Sequence, residues 1–324
     1  INTALGRQAL ANNTTGVNNT AVSYAMVTNT TGSYNTAVGL GALQLNTNAS
    51  FNTAVGYQAG YSNTGDAYMT AVGSQALYSN TTGSFNSALG RNALYNNTTG
   101  GYNTAVGYES MGTNTTGTVN TAIGHQALYA NTTASDNDAH GYRALYQNTT
   151  GNFNVSMGNQ SMFDNTTGGN NVAVGSQALS NNTNASYNTA LGYQAGYYNT
   201  TGFQNTFVGE TAGYRNTTGV GNTFIGSDSG YLNTSGSRNQ FFGKNSGESI
   251  TTGSKNTILG SYNGYQNGLD IRTSSNNIVL SDGDGNPRLQ IHSDGKNEVR
   301  QSPSGQMVVY ANTTTNLGNV GVGS

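Results

Sequence analysis

Apolar, small and polar positions recur along this chain with a period of 17 residues. The glycine of the phrase Asn-Thr-Ala-Val-Gly marks it, falling at Gly39, Gly56, Gly73, Gly90, Gly107 and Gly124 and continuing at the same spacing to Gly260. Gly6 and Ser23 hold the same place upstream, with one residue deleted between Ser23 and Ala25. Sixteen units end near residue 267, and their consensus reads N-T-A-V-G-x-x-A-L-x-x-N-T-T-G-x-x. Such self-similarity is the signature of a solenoid. Seventeen residues are too few for a helix pair, and the recurring Thr, Val, Asn and Gly disfavour helix. The pattern predicts short strands at Thr-Ala-Val and at Ala-Leu-x. The marker Gly and the Gly of Asn-Thr-Thr-Gly would supply the positive-φ corners. The expected fold is an all-β parallel β-solenoid or β-roll, about 75 Å long if coils stack about 4.8 Å apart.

Stacking converts each consensus position into a column. One asparagine column runs through Asn35, Asn52, Asn86 and Asn103, and a second through Asn80, Asn97, Asn114 and Asn131. Their amides are expected to bond from coil to coil. The Ala column (Ala37, Ala54, Ala71, Ala88, Ala105) becomes Phe207, Phe224, Phe241 and Ile258 late in the chain. Over the same stretch the Leu column (Leu77, Leu94, Leu128) becomes Gly196, Gly213, Gly230 and Gly247, so the two columns are read as sharing one interior. Gly60 has no matching Phe. With Ala inward, strand alternation sends Val38, Val55, Val72 and Val106 outward. An outward apolar stripe calls for a partner, most economically further copies of the chain.

Composition narrows the function classes. Charged residues are 7% of the chain against roughly 25% in ordinary domains. The net charge of −2 leaves no basic surface for nucleic acid. No apolar run approaches the roughly 20 residues of a membrane span, and no signal peptide is recognisable, with Ile1 inside a repeat. There is no cysteine, and His125, His140 and His292 lie on separate elements, so an enzyme with a catalytic residue set or a cofactor site is not expected. The candidate metal ligands are His140 and Asp138, in the coil where Asp138-Ala-His140 replaces Thr-Ala-Val and Asp136 shares the strand face. Convergence of three copies of His140 would be needed to bind a metal or an anion there; the favoured reading is one polar coil in a wet groove, with His140 hydrogen-bonded to Asp138 of its own or a neighbouring chain. Asp282-Gly-Asp-Gly-Asn286 offers oxygens like a calcium loop but reads better as a β-turn, lacking the later Gly and Glu. The Asn-Thr-Thr phrases at Asn80, Asn97 and Asn114 are formal glycosylation sequons, read here as turn chemistry.

Two columns bear on recognition. Tyr61, Tyr78, Tyr95, Tyr129, Tyr146, Tyr197, Tyr214 and Tyr231 form one, suited to half-buried packing between neighbouring chains or to stacking on a glycan. Thr36, Thr53, Thr70, Thr104 and Thr121 form a ladder one file wide, the basis of a less favoured ice-binding reading. From residue 267 to 324 the repeat gives way to a separate strand-rich module, with strands expected at Asn277-Ile-Val-Leu-Ser, Pro287-Arg-Leu-Gln-Ile-His and Gln306-Met-Val-Val-Tyr and a turn at Asp294-Gly-Lys.

The N-T-A-V-G-x-x-A-L phrase of residues 1 to 266 resembles the coils of trimeric autotransporter adhesin heads, although the present coil is longer in its Asn-Thr-Thr-Gly turn. That resemblance implies a β-roll that assembles as a homotrimer. Residues 276 to 323, through Ile278-Val-Leu-Ser-Asp-Gly-Asp-Gly-Asn-Pro-Arg-Leu-Gln-Ile and Gly318-Asn-Val-Gly-Val-Gly, resemble phage tail-fibre segments that precede a self-cleaving chaperone. Together the two likenesses imply an extracellular fibre of a virion, or alternatively a bacterial cell-surface adhesin, with a glycan or protein receptor. No membrane insertion is implied.

Overall fold

A computed structural model of the chain describes residues 1–65, 68–292 and 297–299. It is a parallel β-solenoid of 16 turns without a helix among the described residues. Each 17-residue unit contributes one three-residue strand, from β1 (Thr3–Leu5), β2 (Thr20–Val22) and β3 (Thr36–Val38) through β9 (Asp138–His140) to β16 (Thr257–Leu259). Like residues lie side by side: Thr36 opposite Thr53, Ala37 opposite Ala54, Val38 opposite Val55. The missing residue shortens the step from β2 to β3 to 16. The deletion falls in the turn after Ser23 and leaves Ala25 and Met26 fully buried, so the core columns pass it intact.

The second expected strand does not form. The Ala-Leu-x segment is a run of tight turns, with Ala42 N donating to Gly39 O, Gln44 N to Gly41 O and Asn46 N to Leu43 O. Residues flanking the alanine are left-handed: Gln58 at φ 53°, Gln75 at 59°, Leu77 at 52° and Leu94 at 52°. A strand cannot hold such angles. The segment still bonds to the next coil, Leu43 N to Ala59 O at 3.0 Å and Leu77 N to Ala93 O at 3.0 Å. The glycine roles also differ from expectation. The marker glycines Gly39 to Gly243 sit at φ 130° to 139°, as expected, and a Cβ on Gly107 would strike the carbonyl of Gly124. The glycine of Asn-Thr-Thr-Gly is not left-handed. The position does not demand glycine, since buried alanine occupies it at Ala49, Ala134 and Ala185.

The core is thin. Ala37, Ala54 and Ala71 from the strands meet Ala42, Leu43, Ala76 and Leu77 from the turns, all fully buried. Serine replaces the turn alanine at residues 110 and 161, where Ser110 Oγ donates to Ala122 O at 2.9 Å and Ser161 Oγ to Ala173 O at 3.1 Å. The shared interior of the Ala and Leu columns is confirmed. A Cβ on Gly213 would run into the ring of Phe207, one on Gly230 into Phe224 and one on Gly247 into Phe241. Gly60 is compensated as well, by Met69 of the following coil, which stands where asparagine otherwise recurs and whose Cε fills the space.

Both asparagine columns lie inside. Asn35, Asn52, Asn97, Asn103 and Asn114 are all 0% exposed. In the turn column the amides join directly, Asn97 Nδ2 to Asn80 Oδ1 at 2.6 Å and Asn114 Nδ2 to Asn97 Oδ1 at 2.7 Å. In the other column the carbonyl oxygen mainly accepts the next coil's backbone, Asn52 N to Asn35 Oδ1 and Asn103 N to Asn86 Oδ1, each at 2.9 Å. Nδ2 then reaches across the coil, Asn103 to Gly117 O at 2.9 Å.

The sheet continues past the change in composition. After the small hairpin of β17 (Tyr265–Gln266) and β18 (Leu269–Asp270), closed by Tyr262 Oη donating to Leu269 O at 2.9 Å, β19 (Ile278–Ser281) pairs in parallel with β16. Asn277 extends the asparagine ladder by donating to Asn256 Oδ1 at 2.9 Å, and Val279 is fully buried in the core column. β20 (Pro287–Ile291) and β21 (Asn297–Val299) then turn antiparallel, so β19 does not end the sheet as a bare parallel edge. The turn expected at Asp294-Gly-Lys, the strand at Gln306-Met-Val-Val-Tyr and the Gly318-Asn-Val-Gly-Val-Gly phrase lie outside the described residues.

Candidate interaction face

Alternation along each strand buries alanine and sends its two neighbours outward. The stacked valine position becomes a stripe from Leu5 to Leu280, apolar at sixteen of its seventeen rungs. Its side chains are half exposed, Val55 at 37%, Leu89 at 52%, Leu191 at 49% and Leu259 at 55%. Beside it runs the threonine column, Thr36, Thr53, Thr70, Thr104 and Thr121, also on the outer face. Apolar stripes of this length are uncommon on the exterior of monomeric proteins.

A further column was not read from the sequence. The residue before the strand asparagine is aromatic in five successive coils, Tyr34, Phe51, Tyr68, Phe85 and Tyr102. Their rings stack at 4.9 to 5.2 Å while remaining 45% to 61% exposed. Each has a positive φ, between 59° and 66°, which aims the side chain away from the core at a corner. The recurrence of an aromatic every 17 residues was the available signal.

The tyrosine column that was read from the sequence is stacked upon itself. Tyr61, Tyr78 and Tyr95 form one block at 5.1 Å, Tyr129, Tyr146 and Phe163 a second, Tyr197, Tyr214 and Tyr231 a third. Burial among its neighbours raises the Tyr78 hydroxyl above the ordinary phenol range, and Tyr214 is raised in the same way. Ring faces within a block are covered by the next coil's ring, so a sugar could stack only at block ends. The packing role is therefore met inside one chain.

The polar rung is β9. His140 Nε2 lies 2.6 Å from Asp138 Oδ1, both on the outer face. Asp136, at φ 59°, occupies the corner position of the aromatic column. His125 is elsewhere, stacked between Tyr108 and Tyr142 at 5.1 and 5.3 Å, and His292 contacts Glu298 at 3.3 Å. Among the described residues no three His, Asp or Glu side chains gather to hold a metal, and one chain brings two candidate ligands together at β9.

Asp282 closes a turn. Its Oδ1 accepts from Asn286 N at 2.8 Å and Asp284 N at 3.1 Å, and Arg288 pairs with the other oxygen. Hydrogen bonds from Asn286, with the Arg288 guanidinium beside it, bring the Asp282 carboxyl down to about 2. Its oxygens are committed within the loop, which is the β-turn reading. The sequon asparagines Asn80, Asn97 and Asn114 are sealed in the interior with Nδ2 donated, so the folded rod presents none of them for glycosylation. The first threonine of each Asn-Thr-Thr also has its hydroxyl engaged, Thr98 Oγ1 donating to Thr115 O at 3.0 Å.

No family model, curated protein or solved structure matches the chain.

Proposed function

We propose that this chain is the rod of an extracellular structural and adhesive fibre, a homotrimer forming part of a phage tail fibre. The observation that carries the reading is the outward stripe from Leu5 to Leu280, apolar along the whole solenoid except at His140. An enzyme or a small-ligand carrier has no use for a surface of that length and regularity, whereas side-by-side assembly of rods buries it. The likeness of the repeat phrase to adhesin heads, and of residues 276 to 323 to tail-fibre segments, supports the same reading. Adhesion at a bacterial surface is the alternative. In either setting the rod is a stiff spacer that carries a receptor-binding or assembly part.

The first prediction tests assembly. Light scattering of the native protein is expected to give three times the 33.5 kDa chain mass. Val72→Asp combined with Val106→Asp should dissociate or aggregate the fibre, because each contact would then bury unpaired charge. An intact soluble trimer of the double variant would refute the stripe as interface. Electron microscopy of virions labelled with antibody to the rod separates the settings: label on tails supports the tail fibre, and label on cell surfaces alone supports the adhesin.

A further inference from the structure

We propose that the Asp138–His140 rung is a register key, fixing the height at which identical chains align side by side. This rests on the homo-oligomer reading above and adds a mechanism to it.

The occupant of the stripe follows from its spacing. Rungs repeat about every 4.8 Å over seventeen strands, and a partner of any other period would fall out of step within a few rungs. A second copy of this chain has the same period by construction. That match creates a difficulty. A stripe of apolar rungs is satisfied nearly as well after a slip of one coil, because an apolar side chain then meets an apolar side chain, Met157 and Phe242 differing from the rest mainly in size.

One rung breaks the degeneracy. His140 is the single polar residue in the valine column, and Asp138 the single charged residue in the threonine column. They pair at 2.6 Å with side chains 37% and 42% exposed. Their neighbours within the sheet are Thr121 and Ile123 on one side and Val155 and Met157 on the other, none of them ionisable. β9 is the ninth of the seventeen parallel rungs, so slip in either direction displaces it from the midpoint.

In register, each Asp138–His140 pair meets its own copies, and the second carboxylate oxygen and His140 Nδ1 can bond across chains. After a slip of one coil the pair is pressed against Ile123 or Met157 of a neighbour, losing water without gaining hydrogen bonds. A single polar residue sets alignment in an apolar coiled-coil seam by the same means.

Asp138→Thr with His140→Val introduces the commonest residue of each column, so the variant is expected to fold and to assemble. The chain has no cysteine, so Thr116→Cys, at an exposed turn position, accepts one nitroxide per chain in native and double-variant backgrounds. Pulsed dipolar spectroscopy should give one narrow intermolecular distance for the native background. The double variant should keep the oligomer mass but show additional distances from chains offset by whole coils. A single narrow distance in an oligomeric double variant would overturn the register key while leaving the oligomer standing. A native chain with no intermolecular distance, and the mass of a monomer, would overturn both.

Discussion

At the residue scale the solenoid is held by asparagine more than by bulk. Asn97 donates one amide hydrogen bond to Asn80 and one to Gly100 O, and accepts from Asn114, all without water. The Gly100 carbonyl keeps Asn86 Nδ2 at 2.7 Å as a second donor, but without Asn97 the buried amides of Asn80 and Asn114 lose the partner that joins them. Asn97→Ala should therefore cost about 1–3 kcal/mol in denaturant unfolding, the range for orphaning a buried polar partner. The adjacent, partly exposed Asn96→Ala should change stability by less than about 0.5 kcal/mol. Equal effects of the two would count against the ladder. Asp282 gives a pH signature. Its folded carboxyl titrates at about 2, below the roughly 3.9 of an unfolded aspartate. Its contribution to the turn is therefore complete above about pH 4 and fades as pH falls through about 2. Carboxyl NMR should place the midpoint near 2, and Arg288→Gln should move it upward.

At the element scale the coil balances two columns against one volume. Most coils with Ala on the strand carry Leu or Met on the turn, and late coils with Phe carry Gly; the Ala54 and Ala190 coils carry Gly60 and Gly196, whose space Met69 and Phe207 of the next coil fill. The turn position is left-handed in both, Leu179 at φ 49° and Gly213 at 63°, so leucine can adopt the backbone there. What excludes it from residue 213 is the ring of Phe207. Phe207→Ala alone should cost about 3–5 kcal/mol through the cavity left behind. Gly213→Leu alone should cost about 1–3 kcal/mol through overpacking. Combined, they should recover part of the loss, Gly196 being left without the Phe207 ring it also faces, and a double-mutant cycle reads the coupling directly. Additive losses would mean that the two columns do not share space.

At the scale of the whole molecule, seventeen parallel rungs at about 4.8 Å make a rod near 80 Å long, with one apolar stripe running its length. Small-angle scattering of the Val72→Asp, Val106→Asp variant, where it stays soluble, should retain that length while losing cross-section, because the coil is closed within each chain. The aromatic corner from Tyr34 to Tyr102 lies on one part of the rod only, whereas the valine stripe spans all of it. Any function of that corner is therefore local, and that of the stripe is general to the rod.

The 17-residue period determined the solenoid, the inward alanines and the outward valines. In a stack every residue sits on its own copy, so a column can be read directly from the spacing. The buried asparagine ladders and the exchange of Phe for Gly were legible for the same reason. Three features were decided by the tertiary structure alone. The Ala-Leu segment is turns and not strand, because closing so short a loop requires left-handed residues beside the alanine, and those fall on Gln58, Gln75 and Leu77. Residue type assigns such angles to glycine; here bonds to the neighbouring coils offset the strain. Met69 fills the space left by Gly60 from the next coil, a contact that no single unit contains. That His140 pairs with Asp138 of its own chain, and not a neighbour's, depended on both side chains taking the outer face of one strand. The spacing permitted it, and the geometry of the stacked coils brought the two atoms to 2.6 Å.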